Sequence, residues 1–160
     1  MCELAATTPA GAFVEVGVYQ GGTAWHLSQL AKEQDRPLYL YDTFSGIPFQ
    51  ADLDSHAVGD FADTSADQVR EAIPEAVVIQ GIFPSSAVEM GPLAFVHLDV
   101  DQYQSYHDAL AYFEPRMAKD GGIIWLDDYG CLTGANVAVN EFIRATHRRL
   151  KRSAKAYLVF

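Results

Sequence analysis

The run Ala94-Phe95-Val96-His97-Leu98-Asp99-Val100-Asp101, followed a helix-length later by Ile123-Ile124-Trp125-Leu126-Asp127-Asp128, decides the reading of this chain. Each run is apolar enough for a strand buried on both faces, and each stops on carboxylates. Between them, Tyr106, Leu110, Phe113 and Met117 fall on one face of a helix, with Ser105 and Asp108 as its cap pair and Gly121-Gly122 as its end. Strand, helix and strand in that order imply parallel neighbours joined by a crossover. Their acidic ends then share one crevice at the edge where open α/β sheets bind ligands. Crowded carboxylates destabilise one another unless a proton or cation intervenes. The pattern therefore suggests a site for a hard metal ion. Taken singly, Asp127-Asp128 would read as a solvated turn and Asp101 as a helix cap. His97 alternates with Asp99, and a lone histidine there reads more simply as a packed, hydrogen-bonded residue than as a base.

The alternation continues in both directions. Ala12-Phe13-Val14-Glu15-Val16 is a strand ending at Gly17, and Leu27, Leu30 and Ala31 have helical spacing after Gly21-Gly22-Thr23. Leu38-Tyr39-Leu40-Tyr41 is a strand ending on Asp42. Ser65 and Gln68 form a capping box for a short helix through Val69 and Ile73, and Ala76-Val77-Val78-Ile79 is a third strand ending near Gly81. Towards the C-terminus, Val139, Phe142, Ile143 and Leu150 share a helical face, Arg148-Arg149-Lys151-Arg152 is its solvated end, and Tyr157-Leu158-Val159-Phe160 is a single closing strand. Trp25 and Trp125 read as core. The expected fold is α/β: a Rossmann-like three-layer αβα arrangement with a mainly parallel sheet of about six or seven strands, one domain over residues 1–160. The long irregular stretch 49–64 holds Asp52, Asp54, Asp60 and Asp63, and loops of that length are usually functional or disordered.

The net charge of -10 argues against a nucleic-acid backbone or an anionic membrane as the main partner. Cys2 and Cys131 have neither metal-ligand spacing nor a disulfide framework, so a reducing cytoplasm is the simplest compartment. No apolar stretch approaches the roughly 18 residues that span a bilayer, and no basic-then-apolar leader opens the sequence.

Glu15-Val16-Gly17-Val18-Tyr19-Gln20-Gly21-Gly22 joins the first strand to the first helix. Glycines there let a ligand approach the backbone and the free N–H groups of a helix start. The spacing is not Gly-x-Gly-x-x-Gly, which disfavours a nicotinamide enzyme. Asp42, at the end of the second strand, suits a ribose diol. A turn or cap aspartate is the plainer alternative.

In its motifs the chain resembles the macrocin O-methyltransferase family of class I S-adenosylmethionine-dependent methyltransferases. The resemblance rests on Phe13–Thr23 read as Phe-Val-Glu-Val-Gly-Val-Tyr-Gln-Gly-Gly-Thr, on Asp42-Thr43-Phe44-Ser45-Gly46-Ile47-Pro48, on Gln80-Gly81-Ile82-Phe83-Pro84, on Asp99-Val100-Asp101-Gln102-Tyr103-Gln104-Ser105 and on Asp127-Asp128-Tyr129-Gly130. It implies transfer of a methyl group from S-adenosylmethionine to a hydroxyl of a sugar or natural product, with Mg²⁺ as cofactor. It implies Asp99, Asp127 and Asp128 as metal ligands, and Asp99 also as general base. Glu15, Gly17, Tyr19, Gly21, Thr23, Asp42, Thr43 and Gly81 become the cofactor-binding residues. The expected partner is a small-molecule acceptor with vicinal hydroxyls, with further copies of the chain as an option, and neither nucleic acid nor membrane. Family members commonly carry N-terminal helices over the active site, which residues 2–9 are too few to supply. Two rival readings remain: a catechol-type O-methyltransferase acting on an aromatic diol, and a non-catalytic S-adenosylmethionine-binding protein.

Overall fold

A computed structural model describes residues 1–160. The apolar runs become strands β1 (Ala12–Val16), β2 (Leu38–Asp42), β3 (Val77–Gln80), β4 (Leu93–Leu98) and β5 (Ile123–Leu126), all parallel, and a hairpin of β6 (Leu150–Arg152) and β7 (Ala156–Val159) closes the sheet. The strand order is β3-β2-β1-β4-β5-β7-β6, with β7 antiparallel to both neighbours. The chain builds outward from β1 through β2 to β3, then returns to pair β4 with the other side of β1. Connections therefore diverge at the C-terminal ends of β1 and β4, and that switch point opens a crevice.

Both faces of the central strands are covered, which is why they are apolar without alternation. Val14, Val16, Val96, Leu98 and Ile124 pack with Tyr106, Leu110 and Phe113 of α4 (Tyr103–Phe113) and with Ala138 and Val139 of α5 (Thr133–Thr146). On the opposite face Phe13, Phe95, Ile123 and Trp125 pack with Ala24, Leu27 and Ala31 of α2 (Gly22–Glu33) and Val69 of α3 (Ala66–Ala72). Leu27 is wholly buried, and truncating such a side chain to alanine costs about 2–5 kcal/mol. A short α1 (Cys2–Ala6), not anticipated from sequence, buries Ala5 in the same cluster. No helix is long and apolar enough to cross a membrane.

Several local expectations are corrected. Helix α4 starts at Tyr103, so Ser105 lies inside it and cannot cap it; the Tyr103 N–H instead donates to Asp54 Oδ1 at 2.9 Å. Ser65 does precede α3, but its side chain makes no capping bond. Helix α4 ends at Phe113 and tightens into a 3₁₀ turn, Glu114–Arg116, so Met117 packs from beyond the helix and Gly121-Gly122 do not end it. Helix α5 stops at Thr146, where His147 turns left-handed (φ 56). Leu150 therefore leaves the helical face and begins β6, and two strands rather than one follow the last helix. Arg148 is no solvated helix end: its guanidinium stacks over Phe160 at 4.1 Å and bonds Glu114 at 3.0 Å. Trp125 is core as expected, but Trp25 is half exposed.

Candidate active site

Strand β1 delivers Gly17 to the switch point in a left-handed conformation (φ 88). A Cβ there would fall on the carbonyl oxygen of Asp99, so only glycine lets the ends of β1 and β4 close up. From the end of β2, Asp42 reaches across. Its Oδ2 accepts the N–H groups of Val18 and Tyr19, both at 2.8 Å, and its Oδ1 accepts that of Phe44 at 2.7 Å. Tyr19 (φ 51) and Phe44 (φ 50) are themselves left-handed. That conformation is uncommon for bulky residues and costs roughly 1–2 kcal/mol each, an expense the charge-assisted bonds to Asp42 offset. Asp42 thus organises both turns, as the plainer reading of it allowed, while also facing the crevice.

The crevice is a cleft of about 240 Å³. Of the expected cofactor residues, Gly17, Tyr19, Asp42, Thr43 and Gly81 line it, with Asp99 and Asp101 at one end and Phe61, Ile82 and Phe83 as apolar wall. Glu15, Gly21 and Thr23 do not line it. Glu15 is buried one step behind the turn, Gly21 caps α2 and faces Val69, and Thr23 lies in the first turn of α2.

The stretch 49–64 is folded as a strap beside this cleft. Asp54 ties its near part to the start of α4, also accepting the Ala51 N–H at 2.8 Å. Its middle pairs with the turn after β2: the Ile47 N–H donates to the Asp60 carbonyl at 2.9 Å and the Gly59 N–H to that of Ile47 at 3.0 Å. Its far end clasps the glycine turn. The Tyr19 hydroxyl donates to Asp63 at 2.8 Å, and the Thr64 hydroxyl bonds the Tyr19 carbonyl. Phe61 packs edge-on against Tyr19.

Beyond Asp99 the acidic ends of β4 and β5 converge. Ligand-capable oxygens of Asp99, Asp127 and Asp128 all lie within 4.8 Å of one another. Burial, then the neighbouring charges of Asp128 and Asp127, push the Asp99 carboxyl up to about 7 despite the opposing pull of His97. Burial and Asp128 push Asp101 up to about 6. Burial also raises Asp128, whose Oδ2 accepts the Asp101 N–H and the Tyr106 hydroxyl, each at 2.9 Å. Asp127 goes the other way, to about 2, because the His97 imidazole 3.6 Å away and the bonded Lys155 ammonium favour its charged form. Behind it, buried His97 bonds Glu15 at 3.2 Å. Burial alone would lower the imidazole, but Asp127 and Glu15 together raise it to about 10. The histidine is thus a hydrogen-bonded residue within the acidic layer, as its position suggested. An all-carboxylate set whose repulsion remains concentrated at Asp99 suits a hard divalent cation such as Mg²⁺.

A sequence model of the macrocin O-methyltransferase family (TylF) matches residues 2–152. The chain belongs to that family. It is 29% identical over 153 residues to the 8-demethyl-8-(2,3-dimethoxy-alpha-L-rhamnosyl)-tetracenomycin-C 4'-O-methyltransferase of Streptomyces olivaceus, covering 82% of this chain and 58% of that enzyme. The chain therefore spans a little over half the length of this curated relative. In structure it is similar to the O-methyltransferase NovP (TM-score 0.78, 21% identity, 94% of this chain and 72% of that one). It is also similar to CalS11, the calicheamicin methyltransferase (TM-score 0.79, 20% identity, 99% and 75%). At those identities the likeness carries the Rossmann-like methyltransferase fold.

Sequence reasoning missed four contributors to this macrocin-family site. Asp54 and Asp63 were visible only as loop acids, since their partners lie dozens of residues away. Tyr106 was legible as core, not as the donor to Asp128. Lys155 carried no signal, because only the unforeseen β6–β7 hairpin brings it to Asp127.

Proposed function

We propose that this chain is an S-adenosylmethionine-dependent O-methyltransferase, with Mg²⁺ as cofactor, acting on a hydroxyl of a sugar or natural-product-like small molecule that carries a vicinal oxygen. The observation that carries the reading is the meeting of the Asp99–Asp127–Asp128 triad with the Gly17–Asp42 cleft, sharing Asp99 as their common wall. Two proteins to which the chain is similar support this reading: one is named for 4'-O-methylation of a rhamnosyl tetracenomycin, and the other is a calicheamicin methyltransferase.

Asp42 and the left-handed turns it holds present the cofactor cleft in a fixed shape, so little ordering remains for binding. Phe61 and Ile82 give it an apolar wall. Asp99, Asp127 and Asp128 would hold a divalent cation, which would lower the pKa of an acceptor hydroxyl. Asp99 stands between cleft and triad and takes the hydroxyl proton. The freed oxygen forms its bond to the methyl carbon as the carbon–sulfur bond breaks, leaving S-adenosylhomocysteine.

Asp99→Asn tests this. Turnover on a rhamnosyl acceptor is expected to fall at least about 10³-fold, while calorimetry finds S-adenosylhomocysteine affinity within about threefold of the parent. Metal-independent turnover together with lost cofactor binding in the variant overturns the assignment. A parallel screen of catechols against vicinal sugar diols decides the acceptor class.

A further inference from the structure

The three carboxylates of the triad are held unequally. Asp128 is fixed from behind by the Asp101 N–H, in the turn after β4, and by the Tyr106 hydroxyl of α4. Asp127 is held through one oxygen: Oδ2 accepts Lys155 Nζ at 3.1 Å, while Oδ1 lies 3.6 Å from His97 Nε2, beyond hydrogen-bond range. The same ammonium donates to the Asp127 main-chain carbonyl at 2.8 Å. One cation bonded to both the carboxylate and the carbonyl of a single residue closes a ring that locks that side chain's rotamer. Lys155 itself is mounted in the tight turn of the β6–β7 hairpin, where the Ser153 N–H donates to its carbonyl at 2.9 Å.

We propose that Lys155 is a positioning residue for the cation site, fixing the Asp127 side chain against the triad, and that the C-terminal hairpin serves the site as its mount. The inference rests on the reading of the triad as a Mg²⁺ site. Two effects of the lysine oppose each other. Its positive charge disfavours a nearby cation, but Lys155 and Asp127 are each about a third exposed (37% and 31% of their side chains), so water and salt limit that repulsion to about fivefold in affinity. Loss of a partner that orients a ligand costs about 10–100-fold. Orientation therefore wins.

The test is titration calorimetry of Mg²⁺, and of Mn²⁺ as a second probe, into the full chain as parent, Lys155→Met and Lys155→Arg. Lys155→Met is expected to bind either ion about 10-fold more weakly or worse, and Lys155→Arg to stay within about threefold. S-adenosylhomocysteine affinity is expected to be equal in all three, which a general loosening of the fold would not allow. Binding by Lys155→Met as tight as the parent, or tighter, overturns the proposal; tighter binding would mean that the lysine only competes with the ion. A parent protein that binds neither ion at millimolar concentration overturns the triad reading, and this inference with it.

Discussion

The ends of β1 and β2 and the ends of β4 and β5 solve opposite problems with the same residue type. At the first, one carboxylate, Asp42, meets three backbone N–H groups. At the second, three carboxylates crowd within 4.8 Å, and of them Asp128 alone accepts a backbone N–H, that of Asp101. The first region is rich in donors and complete within the chain; the second is rich in acceptors and pays in repulsion, visible as the raised Asp99 carboxyl. One device is common to both. Tyr19, Phe44 and Asp101 are left-handed, and the N–H of each is held by an aspartate at a strand's end: Asp42 for Tyr19 and Phe44, Asp128 for Asp101. A single fold edge thus carries a preformed cleft and a charge-frustrated pocket side by side. Separating the two experimentally sharpens what each is for.

The largest expected effect lies in the frustrated region. The folded Asp99 carboxyl is raised from 3.8 to about 7, so the folded state binds its proton more firmly than the unfolded chain does. Its stabilising contribution is fully present below pH 3.8 and is lost as pH rises through 7. Allowing for solvent screening at this partly exposed group, the loss is about 3 kcal/mol. In chelator, thermal melts from pH 4.5 to 8 should show the parent losing stability relative to Asp99→Asn, and Mg²⁺ should restore it at pH 8 but do little at pH 5. The raised His97 works in the same direction over a higher range, from 6.5 to about 10, and is present in both proteins. Parallel pH profiles for parent and variant would remove the claim that repulsion at Asp99 strains the fold.

The donor-rich region breaks differently. Asp42→Asn keeps the shape but turns one acceptor oxygen into a donor, leaving either the Val18 and Tyr19 pair or Phe44 facing an N–H. An unmatched donor costs about 1–3 kcal/mol. S-adenosylhomocysteine should bind about 10–100-fold more weakly with Mg²⁺ affinity unchanged, whereas Asp127→Asn should weaken Mg²⁺ and spare the cofactor. If both substitutions depress both affinities equally, the two regions are one site and the contrast fails.

The frustrated region was the more legible in sequence, for a physical reason. A buried parallel strand must be apolar along its length, so Asp99 and Asp127-Asp128 stand out where β4 and β5 emerge. Asp42 was legible as a residue but not in role, because a turn carboxylate and a ribose acceptor look alike until the N–H groups around it are placed. What stayed hidden depends on distant contacts. The cap of α4 is Asp54, 49 positions from Tyr103, so local capping rules chose Ser105 instead. The basic run after α5 has helical character, yet the left-handed His147 and the pairing of Leu150 with Leu158 turn it into sheet. That one break also concealed Lys155.

The smallest effect separates the strap from the scaffold it is tied to. Gly134 is the second residue of α5, and a Cβ there would collide with Asp54 Oδ1, the oxygen that caps α4. Gly134→Ala must therefore push Asp54 aside. Helix propensity gains up to about 1 kcal/mol, and the lost cap costs about 0.5–2 kcal/mol, so global stability should move by no more than about 1 kcal/mol. The strap, released at its anchor on α4, should respond far more. Hydrogen exchange across residues 49–64 is expected to quicken, and S-adenosylhomocysteine affinity to fall a few-fold, with Mg²⁺ affinity untouched. Asp54→Ala should reproduce this, and adding Gly134→Ala to it should change nothing further, because both act through the same contact. Additive losses in the double variant would place the glycine's importance in α5 itself, and the strap would then have no share in shaping the cleft.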